Sequence, residues 1–203
     1  IKGVRRIRIG SLEPIQIDAE FLELLSEPWM ARHLHIALQH TSDEMLKRML
    51  RRNTYSNDLP LFEKIASHGY ALGTDYIVGF PGETDALWHK AITRVKELPL
   101  THVHAFSYSK RSGTPAATMK PEIRGDIAKL RHKELSDIIK AKNLSFRESL
   151  TTPLSLLVEN EKNVDDGFLY SGNDQYFNKV ELFSKTKIDE TWLQIENYKV
   201  EAT

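Results

Sequence analysis

The stretch Thr74-Asp75-Tyr76-Ile77-Val78-Gly79-Phe80-Pro81-Gly82-Glu83-Thr84 carries the reading of the fold. Its apolar run, Tyr76 to Val78, stops abruptly at Gly-Phe-Pro-Gly, and Glu-Thr then opens a helical pattern. A buried parallel strand that turns sharply into a helix has this texture. Gly79 and Gly82 let the backbone approach a ligand, and Pro81 stiffens the turn. Enzymes built on parallel sheets place their chemistry at such strand ends. Taken alone, a Gly-x-x-Gly turn is an ordinary strand-to-helix connection, so its neighbours must decide.

Outward from it, the same unit repeats. Val4 to Ile9 reads as a strand leaving through Gly10-Ser11-Leu12-Glu13-Pro14, and Ile17 to Trp29 as a helix capped by Asp18. His33 to Ala37 is a second strand, leaving through Leu38-Gln39-His40-Thr41 into a helix opened by Ser42-Asp43-Glu44. A helix over Leu59 to His68 stops at Gly69 and precedes a strand over Ala71 to Val78. A helix from about Asp85 to Leu98 leads to His102–Phe106 and an exit through Ser107 to Pro115. Four strands alternating with helices predict an α/β fold with a parallel sheet: an open sheet, or part of a barrel whose first strands precede Ile1.

A long charged helix over Glu122 to about Leu150 ends at Thr151-Thr152-Pro153. Beyond it lie short β-type runs, Leu154–Val158, Gly167–Tyr170, Tyr176–Phe183 and Trp192–Val200, separated by Asn, Asp and Gly turns. The expected division is residues 1–150 and a small all-β module over 151–203, with five strands at most.

Composition narrows the classes. Lys plus Arg and Asp plus Glu both number 28, so no global basic field announces a nucleic-acid partner, although local patches remain open. No apolar stretch is long enough to span a bilayer, and no stretch of these residues reads as a secretory leader. The chain opens mid-structure at Ile1 rather than at a methionine, which suggests a piece of a longer protein. Cysteine is absent, which excludes disulfides and thiolate ligands within these residues.

Five motifs stand in order: Arg-Ile-Gly-Ser-Leu-Glu-Pro (8–14), His-Leu-His-Ile-Ala-Leu-Gln-His-Thr-Ser-Asp (33–43), Leu-Lys-Arg-Met-Leu-Arg-Arg (46–52), the 74–84 stretch, and Phe-Ser-Tyr-Ser-Lys-Arg-Ser-Gly-Thr-Pro-Ala (106–116). Together they resemble the later strands of the radical S-adenosylmethionine methylthiotransferases. The wording at 11–14 and 47–52 is most similar to the branch acting on threonylcarbamoyladenosine in tRNA. The resemblance implies the last four strands of a partial (βα)₆ barrel, followed by a TRAM-like (OB-like) RNA-binding module. It implies S-adenosylmethionine and two 4Fe–4S clusters as cofactors, tRNA as substrate, a flavodoxin or ferredoxin as electron donor, and a cytoplasmic setting without a membrane. The cluster cysteines would lie upstream, so no catalytic or metal-binding residue of that chemistry falls in this chain and the chain alone would be inactive.

The resemblance also implies site residues. Gly79 and Pro81 would lie beside adenine, with Ile77 and Val78 as apolar floor and Glu83 capping the next helix or accepting hydrogen bonds from the loop. Ser11, Glu13, Gln39 and Ser42 would meet the ribose or methionyl groups, and Ser109, Gly113 and Thr114 would border adenine or substrate. Ser42 has a competing role as helix N-cap. Arg48, Arg51, Arg52, Lys110 and Arg111 would hold tRNA phosphates unless they form solvated faces. In the β module Tyr170, Tyr176, Phe177 and Lys179 mix aromatics with charge, which suits stacking and phosphate contact, although several of the aromatics there must instead fill a core.

Two rivals stand beside this. His33-x-His35 and His102-x-His104 each put two imidazoles on one face of a strand and, with Asp75, would suit zinc-dependent amidohydrolase-type hydrolysis. Their position at the middle or start of the strands argues against it, because barrel chemistry gathers at the carboxyl ends. The other rival is an RNA-binding scaffold without catalysis.

Overall fold

The computed structural model describes residues 2–202. Strands β1 (Ile7–Leu12), β2 (Met30–Ile36), β3 (Ala71–Val78) and β4 (His102–Ser107) form one sheet in the order β1-β2-β3-β4. All three pairings are parallel. Between the strands run α1 (Ala19–Glu23), α2 (Asp43–Arg48), α3 (Tyr55–Ser67) and α4 (Asp85–Glu97), and α5 (Gly125–Glu148) follows β4. This is the expected alternation, a four-stranded parallel sheet with helices.

The two faces of the sheet differ. Leu34, Ile36, Leu72, Tyr76 and Val78 are fully buried against Phe62 and Ile65 of α3, Trp88, Ile92 and Val95 of α4, and Leu135 and Ile139 of α5. Alternation along the strands sends His33, His35, Gly73, Asp75, Ile77, His102 and His104 to the opposite face. Burial of one apolar face fixes register, since a slip of one residue would exchange the two sets.

Helix boundaries depart from the expected ones for identifiable reasons. The segment 17–29 is helical only over α1 plus a single 3₁₀ turn (Leu24–Ser26), with Asp18 accepting from the Phe21 N–H at 2.8 Å. α3 begins at Tyr55 rather than Leu59 because Asp43 accepts the Tyr55 N–H at 2.8 Å, and Pro60 sits inside the helix. α4 is capped by Thr84, which accepts from Leu87 N–H, and its last turn carries Arg94 and Lys96 where cations favour the helix dipole. No helix among the described residues is long and apolar enough to cross a membrane.

The second sheet contains β5 (Leu154–Val164), β6 (Gly167–Asn173), β7 (Lys179–Ser184) and β8 (Trp192–Ile195), antiparallel in the order β7-β6-β5-β8. A bulge interrupts the β5–β6 register between Val158 and Asn160. Its core is small: Leu154, Leu156, Tyr176 and Ile195, joined by Phe146 and Leu150 at the end of α5. The two sheets meet at the amino ends of β1, β2 and β4. There the Arg6 guanidinium donates to Ser155 Oγ at 2.9 Å, Asn143 donates to Asn178 Oδ1 at 3.2 Å, and Arg8 lies 4.0 Å over the Phe177 ring.

Candidate cofactor site at the strand tips

The turn after β3 is held from behind by a buried carboxylate. Gly79 and Gly82 adopt φ of 77° and 86°, the left-handed region that glycine enters without steric penalty. A Cβ on Gly79 would lie 2.9 Å from the Ala128 Cβ, and one on Gly82 would lie 2.5 Å from Arg48 Nη1. Glu83 is fully buried; its Oε2 accepts the Gly79 N–H at 2.8 Å and an Arg131 N–H at 2.8 Å. Its Oε1 lies 3.0 Å from His40 Nε2. His40 Nδ1 accepts the Ser42 N–H at 2.9 Å, so Nε2 carries the proton that His40 donates to Glu83. Arg131 also donates to the Glu83 carbonyl at 2.7 Å and to Asp85 at 2.6 Å. One carboxylate thus ties together the exit of β2, the turn after β3 and α5.

The exit of β2 is equally constrained. Gln39, at φ 67°, bridges to β3: its N–H donates to Asp75 O and its carbonyl accepts from Ile77 N–H, both at 2.9 Å. Thr41 Oγ1 donates to Ala91 O and therefore accepts from the Tyr76 hydroxyl at 2.9 Å. Arg94 closes over this loop, donating to Thr41 O at 2.7 Å and pairing with Asp43 at 2.9 Å.

In front of the turn is a cavity of about 350 Å³ lined by Gln39, Arg48, Ile77, Phe80, Thr114 and Met119 among others. Its volume falls within the range of small-molecule sites, and its lining combines an apolar floor with a few polar groups. A neighbouring cavity of about 420 Å³ lies beyond Leu50 and Arg51, against Glu13, Arg52 and Asp58. Burial pushes the Asp58 carboxyl up to about 6, opposed by the Asn53 amide that donates to it.

The expected cofactor residues therefore divide. Gln39, Ile77 and Thr114 share one cavity. Gly79 and Pro81, on either side of Phe80, are buried and do not line it themselves. Glu13 pairs with Arg51 at 2.9 Å and faces the adjoining cavity. Ser11, Ser109 and Gly113 are exposed. Val78 is fully buried on the helix side of the sheet, because its neighbour Ile77 takes the other face, so its side chain is core rather than floor. Glu83 accepts from the loop and is sealed off from any ligand, while Thr84 is the helix cap. Ser42 is the N-cap of α2 through its backbone but makes no side-chain cap bond, and it is buried.

The basic residues divide too. Arg48 pairs with Glu44 at 3.2 Å and Lys110 with Glu122 at 3.1 Å, while Arg52 and Arg111 are exposed. Tyr176 is a core residue, edge-on to Phe146 at 5.4 Å, so it does not present a ring for stacking. Lys179 is exposed, but it lines a cavity with Thr101, His102 and Phe177, at the end of the sheet away from the strand tips. Sequence reasoning missed His40 and Arg131 as the partners of Glu83; Arg131 lies 48 residues away on a charged helix face, with no local signal.

Of the four histidines proposed for zinc, His33 and His102 pack against each other and Phe177, whereas His35 and His104 converge on Asp75. Burial, with His102 and Arg8 nearby, lowers His33 to about 3, and burial lowers His102 to about 4.

No protein-family model matches the chain. Over 98% of its length it is 45% identical to a protein of Helicobacter pylori strain J99 named "Putative methylthiotransferase", covering 48% of that protein. It is 32% identical over 83% of its length to the tRNA-2-methylthio-N(6)-dimethylallyladenosine synthase of Francisella tularensis subsp. novicida, covering 39% of it. The chain thus spans about half the length, or less, of these curated relatives. Coproporphyrinogen III oxidase (HemN) of Escherichia coli, a radical SAM enzyme, shares the fold at TM-score 0.55 and 17% identity, over 84% of this chain and 46% of that one. Over nearly its whole length the chain is thus similar to one part of the curated methylthiotransferases, on a fold that it shares with a radical SAM enzyme.

Proposed function

We propose that this chain is the cofactor- and substrate-facing portion of a tRNA methylthiotransferase that places a methylthio group on C2 of a modified adenosine. The observation that carries the proposal is the cavity at the carboxyl tips, where Gln39, Ile77, Phe80 and Thr114 converge in front of the Glu83-anchored turn. The finer assignment to N6-threonylcarbamoyladenosine rests on the wording of residues 11–14 and 47–52. The Francisella relative's name offers dimethylallyladenosine as the competing base.

The residues fit S-adenosylmethionine. Gln39 offers amide donor and acceptor, Thr114 a hydroxyl, and Ile77 and Phe80 an apolar surface for a purine. When bound, the cofactor supplies one-electron hydrogen-abstraction chemistry, and the protein's share is orientation and exclusion of water. The Glu83 network would keep the loop backbone fixed while ligand enters. The residues do not fit a 4Fe–4S cluster, because the chain contains no cysteine, and the isolated chain is expected to be inactive. Exposed Arg52 and Arg111 would contact tRNA phosphates at the mouth. The second sheet would serve as the TRAM-like module, and an external flavodoxin or ferredoxin would deliver the electron.

The chain should bind S-adenosylhomocysteine by calorimetry, and Ile77→Arg, which fills the cavity, should abolish binding while preserving the circular dichroism spectrum. Unchanged affinity in Ile77→Arg would remove the cavity from consideration. For the activity, full-length protein with reconstituted clusters should yield 2-methylthio product on threonylcarbamoyladenosine tRNA. Product on dimethylallyladenosine tRNA alone would move the branch, and absence of 5′-deoxyadenosine would overturn the reading.

A further inference from the structure

On the helix-free face of the sheet, about 10 Å below the tip of β3 by strand rise, two imidazoles and one carboxylate converge. Asp75 and His104 are register partners on β3 and β4, so their side chains rise side by side. His35 stands opposite Gly73 on β2, and the missing side chain there leaves room for imidazoles. A Cβ on Gly73 would meet His33 Nε2 and His35 Nδ1 at 3.1 Å each.

We propose that His35, Asp75 and His104 form a binding site for a borderline first-row divalent metal, of which Zn²⁺ is the type. His35 Nε2 lies 3.2 Å from Asp75 Oδ1, and His104 Nδ1 lies 3.6 Å from the same oxygen. Three ligand atoms, one from each residue, fall within 4.8 Å of one another. A tetrahedral zinc with bonds of about 2.0–2.1 Å spaces its ligand atoms about 3.3 Å apart, so two of the three separations already bracket that value. The third, no more than 4.8 Å, closes by rotation of the His104 ring, whose side chain is 61% exposed.

The chemistry of the donors selects the metal class. Two neutral imidazoles and a carboxylate suit zinc, cobalt and nickel, whereas magnesium and calcium require all-oxygen shells. Burial favours the neutral, ligating form of His35. Arg8, the cation nearest this imidazole in influence, counts for less than Asp75.

A second observation points to the same place. His33 is 1% exposed and neither of its ring nitrogens has a hydrogen-bond partner, an uncommon state for a buried polar group. Its Nε2 reaches the hollow over Gly73 that also receives the outer nitrogen of His35, where an outer-shell partner of a metal-bound imidazole belongs. Methylthio transfer at the strand tips needs none of this, because the cluster lies deeper than the cavity of Gln39 and Thr114. The proposal therefore stands independently of methylthio transfer.

Cobalt(II) titration of the 203-residue chain at neutral pH tests it. One equivalent should bind with the visible absorption of a tetrahedral Co²⁺ centre, and Zn²⁺ but not Mg²⁺ should displace it. His104→Ala and Asp75→Asn should each weaken binding more than about 100-fold, since even outer-shell partners contribute 10–100-fold. The exposed His68→Ala and His89→Ala variants should bind as the parent chain does. His104 is exposed, so its alanine variant should keep the parent circular dichroism spectrum and remain a clean test. Absence of a saturable single site, displacement by Mg²⁺, or equal binding by His104→Ala would overturn the proposal.

Discussion

Replacing Glu83 by alanine should be among the most destabilising changes in the first sheet, although the residue touches no ligand. The carboxylate has no solvent exposure and Arg131 opposite it is 6% exposed. Deleting one partner of a buried pair leaves the other uncompensated, which costs about 3–5 kcal/mol. Here Arg131 retains Asp85 at 2.6 Å, so the lower end, about 3 kcal/mol, applies. For a chain of 203 residues that corresponds to a fall of about 6–12 °C in Tm. Urea denaturation followed by tryptophan fluorescence suits the measurement, because Trp88 has the Arg131 guanidinium 5.6 Å from its ring. Glu83→Gln keeps an acceptor for the Gly79 N–H but loses the charge and turns its NH2 against the His40 Nε2–H, so it should cost about 1–3 kcal/mol. Glu44→Ala, which breaks the exposed pair with Arg48, should cost no more than about 0.5 kcal/mol. If Glu83→Ala cost less than about 1 kcal/mol, the carboxylate would not be the anchor of the turn.

Two further outcomes follow from the same structure. Gly79→Ala should cost about 3 kcal/mol in the same denaturation assay, since the new methyl meets Ala128 at 2.9 Å and the residue must keep φ near 77°; full stability would show that the turn relaxes freely. Acid should destabilise the fold through His33 and His102, whose folded values of about 3 and about 4 lie below the ordinary 6.5. The unfolded chain binds more protons in that window, so their contribution is complete above pH 6.5 and is lost as pH falls toward 3. His33→Leu should flatten the profile of denaturation midpoint against pH, and an unchanged slope would show that the ring is not held neutral.

Much of the parallel sheet was legible because its signals are local. Tyr76 to Val78 followed by Gly-Phe-Pro-Gly announces a strand, a turn and a helix without reference to anything distant, and β3 and β4 fall where alternation and turn residues put them, whereas β1 takes in Gly10-Ser11-Leu12, expected as its exit loop, and β2 begins three residues before His33. The limits of α3 were not legible, since its start depends on a side chain twelve residues earlier, Asp43, receiving the Tyr55 N–H. The site shows the same division. Gln39, Ile77 and Thr114 leave strand tips and meet there by topology alone. Glu83 carries the same charge whether it faces a cofactor or a buried arginine, and only the packing of α5 on β3 and β4 decides between them. Tyr176 illustrates a related ambiguity: an aromatic in a small β module serves equally as stacking surface or as core, and the thin core of this module claims it.

Phe177 holds a φ of 66°, uncommon for a bulky residue, and its ring is wedged among Arg8, His33 and His102. A hairpin tip inserted this way acts as a keel: the antiparallel sheet cannot swing without withdrawing an aromatic from beneath the parallel one. Whatever the smaller sheet grips is thereby kept at a set span from the mouth at the opposite end, so the two act as a gauge of length rather than as beads on a string.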